Sequence, residues 1–338
     1  MKRKIMTLLL LALMCSLSIA AAKANAEDGA TFKLLTLNLL FSEPTTSLSS
    51  DNIPRFNSIA DFIVDNDIDC VLCQEVVGGT LAKKLGLTQT LNSSLDLKSL
   101  LDNRYNLTYR LANGIPLLFS VGNAVFCKKS IDIKWTLSQT LSFASEININ
   151  GIDIKLRRII MGSLLEVPGF GRLLLFNTHL CSFCPSEQRQ VQIEEALEFI
   201  EKVRKWVGFF YGKVPVVFAG DFNIHDNFGY EDSAGAEAEY NLITDGFVDA
   251  YAAYGNNGEC DFGIVCCIPV DNPSFVEPGC TYAVDDNPFE FDPNQTTRID
   301  YFFLKGLEAA SAYVVFDGTE TNGPFVSDHS GVVVELPY

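Results

Sequence analysis

Basic residues are scarce and scattered in this chain. Its 338 residues hold 25 Lys and Arg against 42 Asp and Glu, a formal net charge of −17 at pH 7. After the amino terminus cations adjoin only in pairs such as Lys128-Lys129 and Arg157-Arg158, so a basic stripe that neutralises a polyanion is missing and a nucleic-acid partner is disfavoured. It is not excluded, because a metal ion can dominate the local field of an acidic site. After residue 26 no stretch is long and uncharged enough to span a bilayer. No internal repeat, low-complexity run or linker divides the chain, which fits one domain. Histidine is rare too: His179, His225 and His329 are the full set, and each falls in a motif considered below.

The amino terminus reads as a targeting segment. Lys2, Arg3 and Lys4 precede the apolar run Met6 to Leu17, and small residues follow to Ala24-Asn25-Ala26, the order of a secretory signal peptide cleaved after Ala26. Met14 before Cys15 is a poor match to the small residue that precedes a lipidated cysteine, so a lipoprotein anchor is the lesser reading. The mature protein is expected to be residues 27–338, a secreted or periplasmic monomer. Losing Lys2, Arg3, Lys4 and Lys23 with no acid takes the charge from −17 to −21. Of the nine remaining cysteines, Cys70 and Cys73 lie three apart in an apparent strand, on opposite faces, and read as buried thiols rather than partners. Cys260, Cys266, Cys267 and Cys280 read as a disulfide-stapled loop. A zinc site joining Cys181 and Cys184 to that cluster is the alternative.

Apolar runs place the elements. Strands are predicted over Thr31 to Leu37, Asp69 to Gln74, Gly122 to Lys128, Ile152 to Leu165, Leu173 to Thr178, Val216 to Asp221, Asp300 to Leu304 and Val332 to Leu336. Helical spacing marks Asp51 to Asn66, Leu95 to Leu101, Ser186 to Val207 and Glu237 to Ile243. Four strands arrive at a polar residue, namely Asn38, Glu75, His179 and Asp221. Two more leave from one, Asp300 and His329. If arriving and departing strands are antiparallel, all six residues collect at one end of the sheets, and the fold class is an α/β sandwich with its site at one rim.

The core strand ending in Gly220-Asp221-Phe222-Asn223 is the clearest of these. In extended backbone the spacing of two projects Asp221 and Asn223 the same way. An isolated Gly-Asp-x-Asn is as readily an Asx turn closing a strand. Asn38, Glu75, Asp221, Asn223, Asp300 and Asp328 offer oxygen ligands, joined by few histidines, which suits a hard ion such as Mg²⁺, with Mn²⁺ the alternative, better than zinc. His329 is a general-base candidate that Asp300 can orient, and His179 can donate to a phosphoryl oxygen. Metal-assisted attack of water on a phosphate ester is the reaction these parts suit.

Thr36-Leu37-Asn38, Gln74-Glu75-Val76, Asn177-Thr178-His179-Leu180, Gly220-Asp221-Phe222-Asn223, Arg298-Ile299-Asp300-Tyr301 and Ser327-Asp328-His329 together resemble the ordered motifs of the endonuclease/exonuclease/phosphatase superfamily, the metal-dependent phosphohydrolases of the pancreatic deoxyribonuclease fold. The resemblance covers about Phe32 to Leu336. It implies a four-layer sandwich of two packed mixed β-sheets flanked by helices. It also implies Glu75 as the main Mg²⁺ ligand with Asn38 nearby, Asp221 and Asn223 positioning water or phosphate, Asp300 orienting His329, and His179 contacting the phosphate. Asp328 joins the catalytic set. His225, Val248-Asp249-Ala250-Tyr251 and Thr281-Tyr282 further resemble the neutral sphingomyelinase branch, although Asp226 stands where that branch usually has proline. A secreted phosphodiesterase acting on sphingomyelin at a membrane surface is the expectation. An extracellular nuclease and an inositol-phosphate phosphatase are the alternatives. The apolar run Phe262 to Val270 reads either as a segment that dips into a membrane interface or as a disulfide-tied strand covering the core.

Overall fold

The computed structural model describes residues 30–40, 52–78, 93–102, 104–115, 119–149, 152–224, 233–255, 279–282, 287–288 and 297–338. Residues 1–26, expected to be a signal segment, and His225, Asp226, Cys260, Cys266, Cys267 and the run 262–270 lie outside the described residues.

The strands, in chain order, are β1 (Thr31–Asn38), β2 (Cys70–Gly78), β3 (Tyr105–Ile115), β4 (Phe119–Lys128), β5 (Asp132–Ile149), β6 (Ile152–Val167), β7 (Gly171–His179), β8 (Val216–Asp221), β9 (Val248–Asp249), β10 (Asp300–Lys305), β11 (Ser311–Val315) and β12 (Gly331–Pro337). The helices are α1 (Asn52–Asp65), α2 (Ser93–Leu100), α3 (Ser186–Tyr211), α4 (Ser233–Thr244) and α5 (Ala250–Tyr254). One six-stranded sheet has the order β11-β12-β1-β2-β4-β3 and the other β5-β6-β7-β8-β10-β9, both mixed.

Period-two alternation along the central strands explains the layers. On β8, Val217 and Ala219 point into the core between the sheets, where they join Phe32 and Leu34 of β1 and Phe302 of β10. Val216 and Phe218 point the other way, onto Phe199, Ile200, Val203 and Val207 of α3. The outer face of the first sheet is covered in the same manner, Leu35 and Val71 meeting Phe56, Ile59 and Ile63 of α1. The result is helix, sheet, sheet, helix. Strands apolar on both faces are what that arrangement requires, because each sheet is covered twice.

Parallel pairs β1/β2 and β7/β8 bring Asn38 beside Gln74 and His179 beside Asp221. The antiparallel partner β10 starts at Asp300 opposite Asp221. The carboxyl ends of arriving strands and the amino ends of departing ones therefore share a rim. Strand β2 differs from the expectation, since it does not stop at Gln74. It runs on to Gly78 through a bulge between Cys73 and Val76, with Glu75 in the left-handed region at φ 54°. A bulge re-aims one side chain without ending the ladder. The strands β3, β5, β9 and β11 were not legible in the apolar pattern.

The cysteine readings need correction. Cys70 is directly opposite Cys127 in the β2/β4 ladder and is bonded to it, so it is not a thiol. Cys181 and Cys184 are bonded to each other across a tight turn, which uses up the sulfurs a zinc site would need. Cys73, on the other face of β2 from Cys70, is the buried free thiol among the described residues. Cys280 is disulfide-bonded. Such pairs are compatible with an extracellular location. Among the described residues no helix is long and apolar enough to cross a membrane.

Candidate active site

Asp221 lies at the centre of the rim. Gly220 before it has φ 137° and sits so close to β7 that a Cβ there would lie 2.1 Å from the Thr178 carbonyl oxygen, so no side chain fits. The two carboxylate oxygens of Asp221 divide their work. Oδ1 accepts from the Asn223 amide at 3.0 Å, an Asx turn. Oδ2 accepts from Asn38 Nδ2 at 3.0 Å and lies 3.3 Å from His179 Nε2 and 3.8 Å from His329 Nε2. Turn closure and site chemistry are thus one feature. Asn223 itself is left-handed at φ 50° rather than in the extended backbone that the spacing argument assumed, and its Nδ2 donates to the Leu180 carbonyl at 3.1 Å.

His329 is held by Asp300, with Nδ1 2.8 Å from Oδ2. Asp300 is in turn fixed by its own backbone, whose N–H donates to Thr281 Oγ at 3.1 Å, and its second oxygen, Oδ1, is buried without a partner. Nε2 of His329 is left facing Asp221 and, at 4.0 Å, Asp328 Oδ1. Ser327 joins the rim to β1 by donating to the Asn38 carbonyl at 2.7 Å. The Tyr282 ring lies 5.0 Å from the His329 ring.

Arg158 was missed by the sequence reading, where it counted only as half of a basic pair. Strand β6 carries it past the end of β7, between the pairs Ala144/Arg157 and Ile160/Thr178. Its Nη1 lies 3.1 Å from both ring nitrogens of His179, and Nη2 donates to Ser145 Oγ and Ser182 Oγ. Its Nε is buried with no partner, a free donor at the rim. Burial and the Arg158 charge hold the His179 pKa well below the ordinary value. A neutral His179 accepts from Arg158 at Nδ1 and donates to Asp221 from Nε2. A cleft beside these residues is lined by Glu75, Asn113, Asn123, Arg157, Arg158 and His179.

The acids are strained electrostatically. Burial and the Asp328 charge push the Glu75 carboxyl up to about 8, Asp221 contributing in the same direction. Burial and Asp300 raise Asp221 as well. Burial opposes charge on His329, but Asp300, Asp328 and Asp221 outweigh it and hold its pKa well above the ordinary value. Buried carboxylates of this kind are poorly accommodated as anions until a cation joins them. Asp221, Asp300 and His329 each offer a ligand atom within 4.8 Å of the others. The orphaned Asp300 oxygen and a donor set in which carboxylate oxygens outnumber nitrogens fit a hard divalent ion. Asn38 has its Nδ2 committed to Asp221 and its Oδ1 engaged by the Leu40 amide, so it serves first to position Asp221.

The raised Glu75 pKa makes a prediction for stability. A carboxyl whose folded pKa exceeds its unfolded value binds extra protons in the native state, so its contribution is fully present below the ordinary 4.5 and lost as pH rises through about 8. In chelator, the melting temperature of the wild type is expected to fall relative to Glu75→Gln across that window, by several degrees. Parallel melting curves for the two proteins across pH would show that Glu75 carries no such strain.

Neither a protein-family model nor a curated protein sequence matches the chain. Solved structures do. An endonuclease/exonuclease/phosphatase from Bacteroides vulgatus aligns with TM-score 0.59 at 19% identity, covering 91% of this chain and 98% of that one. The mannosyl-6-phosphatase of Bacteroides thetaiotaomicron aligns with TM-score 0.59 at 21% identity, covering 91% and 100%. Truncated TDP2 of Caenorhabditis elegans aligns with TM-score 0.57 at 18% identity, covering 92% and 99%. Two packed six-stranded mixed sheets flanked by helices, with these matches over nine-tenths of the chain, give this protein the fold of the endonuclease/exonuclease/phosphatase proteins.

Proposed function

We propose that this protein is a divalent-metal-dependent phosphoesterase that uses water to split a phosphodiester, and that sphingomyelin, cleaved to ceramide and phosphocholine, is its substrate. The observation that carries the chemistry is the His329–Asp300 pair. A histidine whose Nδ1 is fixed by a buried carboxylate at 2.8 Å presents Nε2 in one orientation, as a general base needs. Asp221 and Asp328 flank that nitrogen.

Glu75 and the oxygens around Asp221 would hold the ion, with Mg²⁺ the expected choice, and it would supply charge stabilisation at the phosphate. The chain's own residues do the rest. His329 Nε2 takes a proton from water as the water oxygen bonds to phosphorus; the bond from phosphorus to the ceramide oxygen breaks, and that oxygen takes up a proton. Asp300 keeps the imidazole in the required tautomer and stabilises it once protonated. Arg158 presents its unpartnered Nε–H toward a phosphoryl oxygen, where a fixed donor acts most strongly because the site is buried, and His179, accepting from Arg158 and donating to Asp221, holds the two in register.

Charge supports the substrate reading. A chain at −17 with scattered cations repels a polyanion over its approach surface, whereas a phosphocholine headgroup is neutral overall. Tyr282 beside His329 offers a ring face for a quaternary ammonium. Tyr251 does not, since it is buried in the inter-sheet core under Arg298. The polar cleft lined by Asn113, Asn123 and Arg157 favours a second reading, hydrolysis of a phosphorylated polyol such as an inositol phosphate.

The test is a panel of sphingomyelin, DNA and inositol phosphates across a salt series at fixed Mg²⁺. Sphingomyelin turnover is expected to exceed DNA turnover by orders of magnitude at low salt, and residual DNA cleavage to rise as salt screens the repulsion. DNA turnover that is larger at low salt and falls with salt would make the protein a nuclease.

A further inference from the structure

The rim opposite the active site carries a feature that phosphoester chemistry does not use. Helix α3 starts at Ser186, seven residues after His179, and its 26 residues run about 39 Å back along the second sheet. Its last turns read Lys-Trp-Val-Gly-Phe-Phe-Tyr. Trp206 is 52% exposed, Phe209 84%, Phe210 61% and Tyr211 49%. Four large aromatics in six residues facing water is a large apolar patch for so acidic a protein. The rings contact one another in series, Trp206 to Phe210, Phe210 to Phe209 and Tyr211, while Trp135 of β5 lies 5.4 Å from Trp206.

Cations frame this patch. Lys202 and Lys205 share the outward face with Trp206 and Phe209, at helical spacings of three and four, and Lys213 follows the helix. Arg172 stacks over Tyr211 at 4.2 Å. Glu198, Glu201 and Glu166 pair with some of these groups at the surface, where such pairs are weak and leave the cations available. Between the patch and the strand starts lies a cavity of about 440 Å³ lined by Phe170, Arg172, Tyr211, Lys213, Leu307 and Tyr338 among others. No acid lines it. Positive charge and aromatic rings are thus concentrated at one end of a chain that is otherwise acidic.

We propose that the carboxyl-terminal end of α3 is a docking surface for an anionic phospholipid bilayer, with Trp206, Phe209 and Phe210 entering the interface and a lipid phosphate seated between Arg172 and Lys213. Trp, Phe and Tyr flanked by Lys and Arg is the composition that partitions into the headgroup region, and a negative leaflet attracts the cations. A second copy of this chain, strongly acidic as a whole, is the poorer occupant. The geometry has a consequence for catalysis. Strand β8 runs from Val216 beside the cavity to Asp221, so at about 3.3 Å per residue the two sites lie roughly 17 Å apart on opposite rims. A bilayer gripped here leaves the active site facing away from it. The surface therefore tethers the protein independently of what the site hydrolyses.

Trp135 and Trp206 are the chain's two tryptophans, so intrinsic fluorescence reports on this patch. Full-length mature protein is titrated with phosphatidylcholine vesicles with and without phosphatidylglycerol, none containing sphingomyelin. A blue shift, quenching by brominated lipid and co-sedimentation are expected with the anionic vesicles only, weakening as salt rises. The double variant Phe209→Ser/Phe210→Ser should bind about 10-fold or more weakly, and Lys213→Glu should lose the preference for anionic lipid. Both should keep the parent's melting temperature and its turnover of a soluble phosphodiester. Absence of any shift, equal binding by the double variant, a concentration-dependent shift without vesicles, or the same shift with inorganic phosphate alone would each overturn the proposal. Because no arm requires hydrolysis, failure here leaves the phosphoesterase reading standing, and the reverse.

Discussion

Turnover of a phosphodiester by the His329→Ala protein is expected to fall about 10²-fold or more, the contribution a positioned general base makes. The geometry gives the reason. Asp300 holds Nδ1 at 2.8 Å, so the ring has one free nitrogen, Nε2, and it faces the cluster where water would be activated. No other described histidine can replace it, because Arg158 and Asp221 already engage both nitrogens of His179. Asp300→Asn sharpens the test. An amide can present a donor to Nδ1 and so favour the wrong tautomer, and loss of the carboxylate removes a charge that raises the His329 pKa. Turnover should fall, and the acidic limb of the pH profile should move to lower pH. A loss below about threefold in a folded His329→Ala protein would place the base elsewhere.

Removing divalent metal is expected to abolish turnover, and Mg²⁺ to restore it. Glu75, Asp221, Asp300 and Asp328 converge on one rim with a buried unpartnered oxygen on Asp300, and the pKa values of Glu75 and Asp221 stay raised although Arg158 and His329 supply positive charge, so the donor set is short of counter-charge. Binding must displace protons from these groups. With Glu75 at about 8, affinity for Mg²⁺ should rise with pH up to that value, and calorimetry should record proton release near neutrality. Undiminished turnover in chelator would refute metal dependence. Glu75→Gln should weaken Mg²⁺ binding and flatten its pH dependence; unchanged affinity would move the ion away from Glu75.

Much of the site was legible because its signals are local. An apolar run that stops at a polar residue is visible without knowing its partners, and Asn38, His179 and Asp221 were found in that way. The Asx turn at Asp221 and the functional carboxylate looked like competing readings of one tetrapeptide, yet each uses a different oxygen. Arg158 left no such signal. It sits within a long strand, and only the pairing of β6 with β7 brings it to His179. Strand β5 was equally hidden, because its exposed polar residues break the apolar pattern over most of its length.

What the sequence determined by itself is the order of eight of the strands and four of the helices and the rim at which the polar termini gather, since periodicity of two or 3.6 and strand direction are properties of the local chain. Tertiary structure decided the rest. The bulge that turns Glu75 out of β2 exists only in its pairing with β4; the Cys70–Cys127 bond exists only because that register places the two opposite each other. Whether Trp206, Phe209 and Phe210 belong to a core or a surface is likewise absent from their spacing. Val203 and Val207 of the same helix face the sheet, and the direction in which α3 packs leaves the aromatic side in water. Exposure and charge environment are sums over neighbours distant in the chain, which is why folding had to set them.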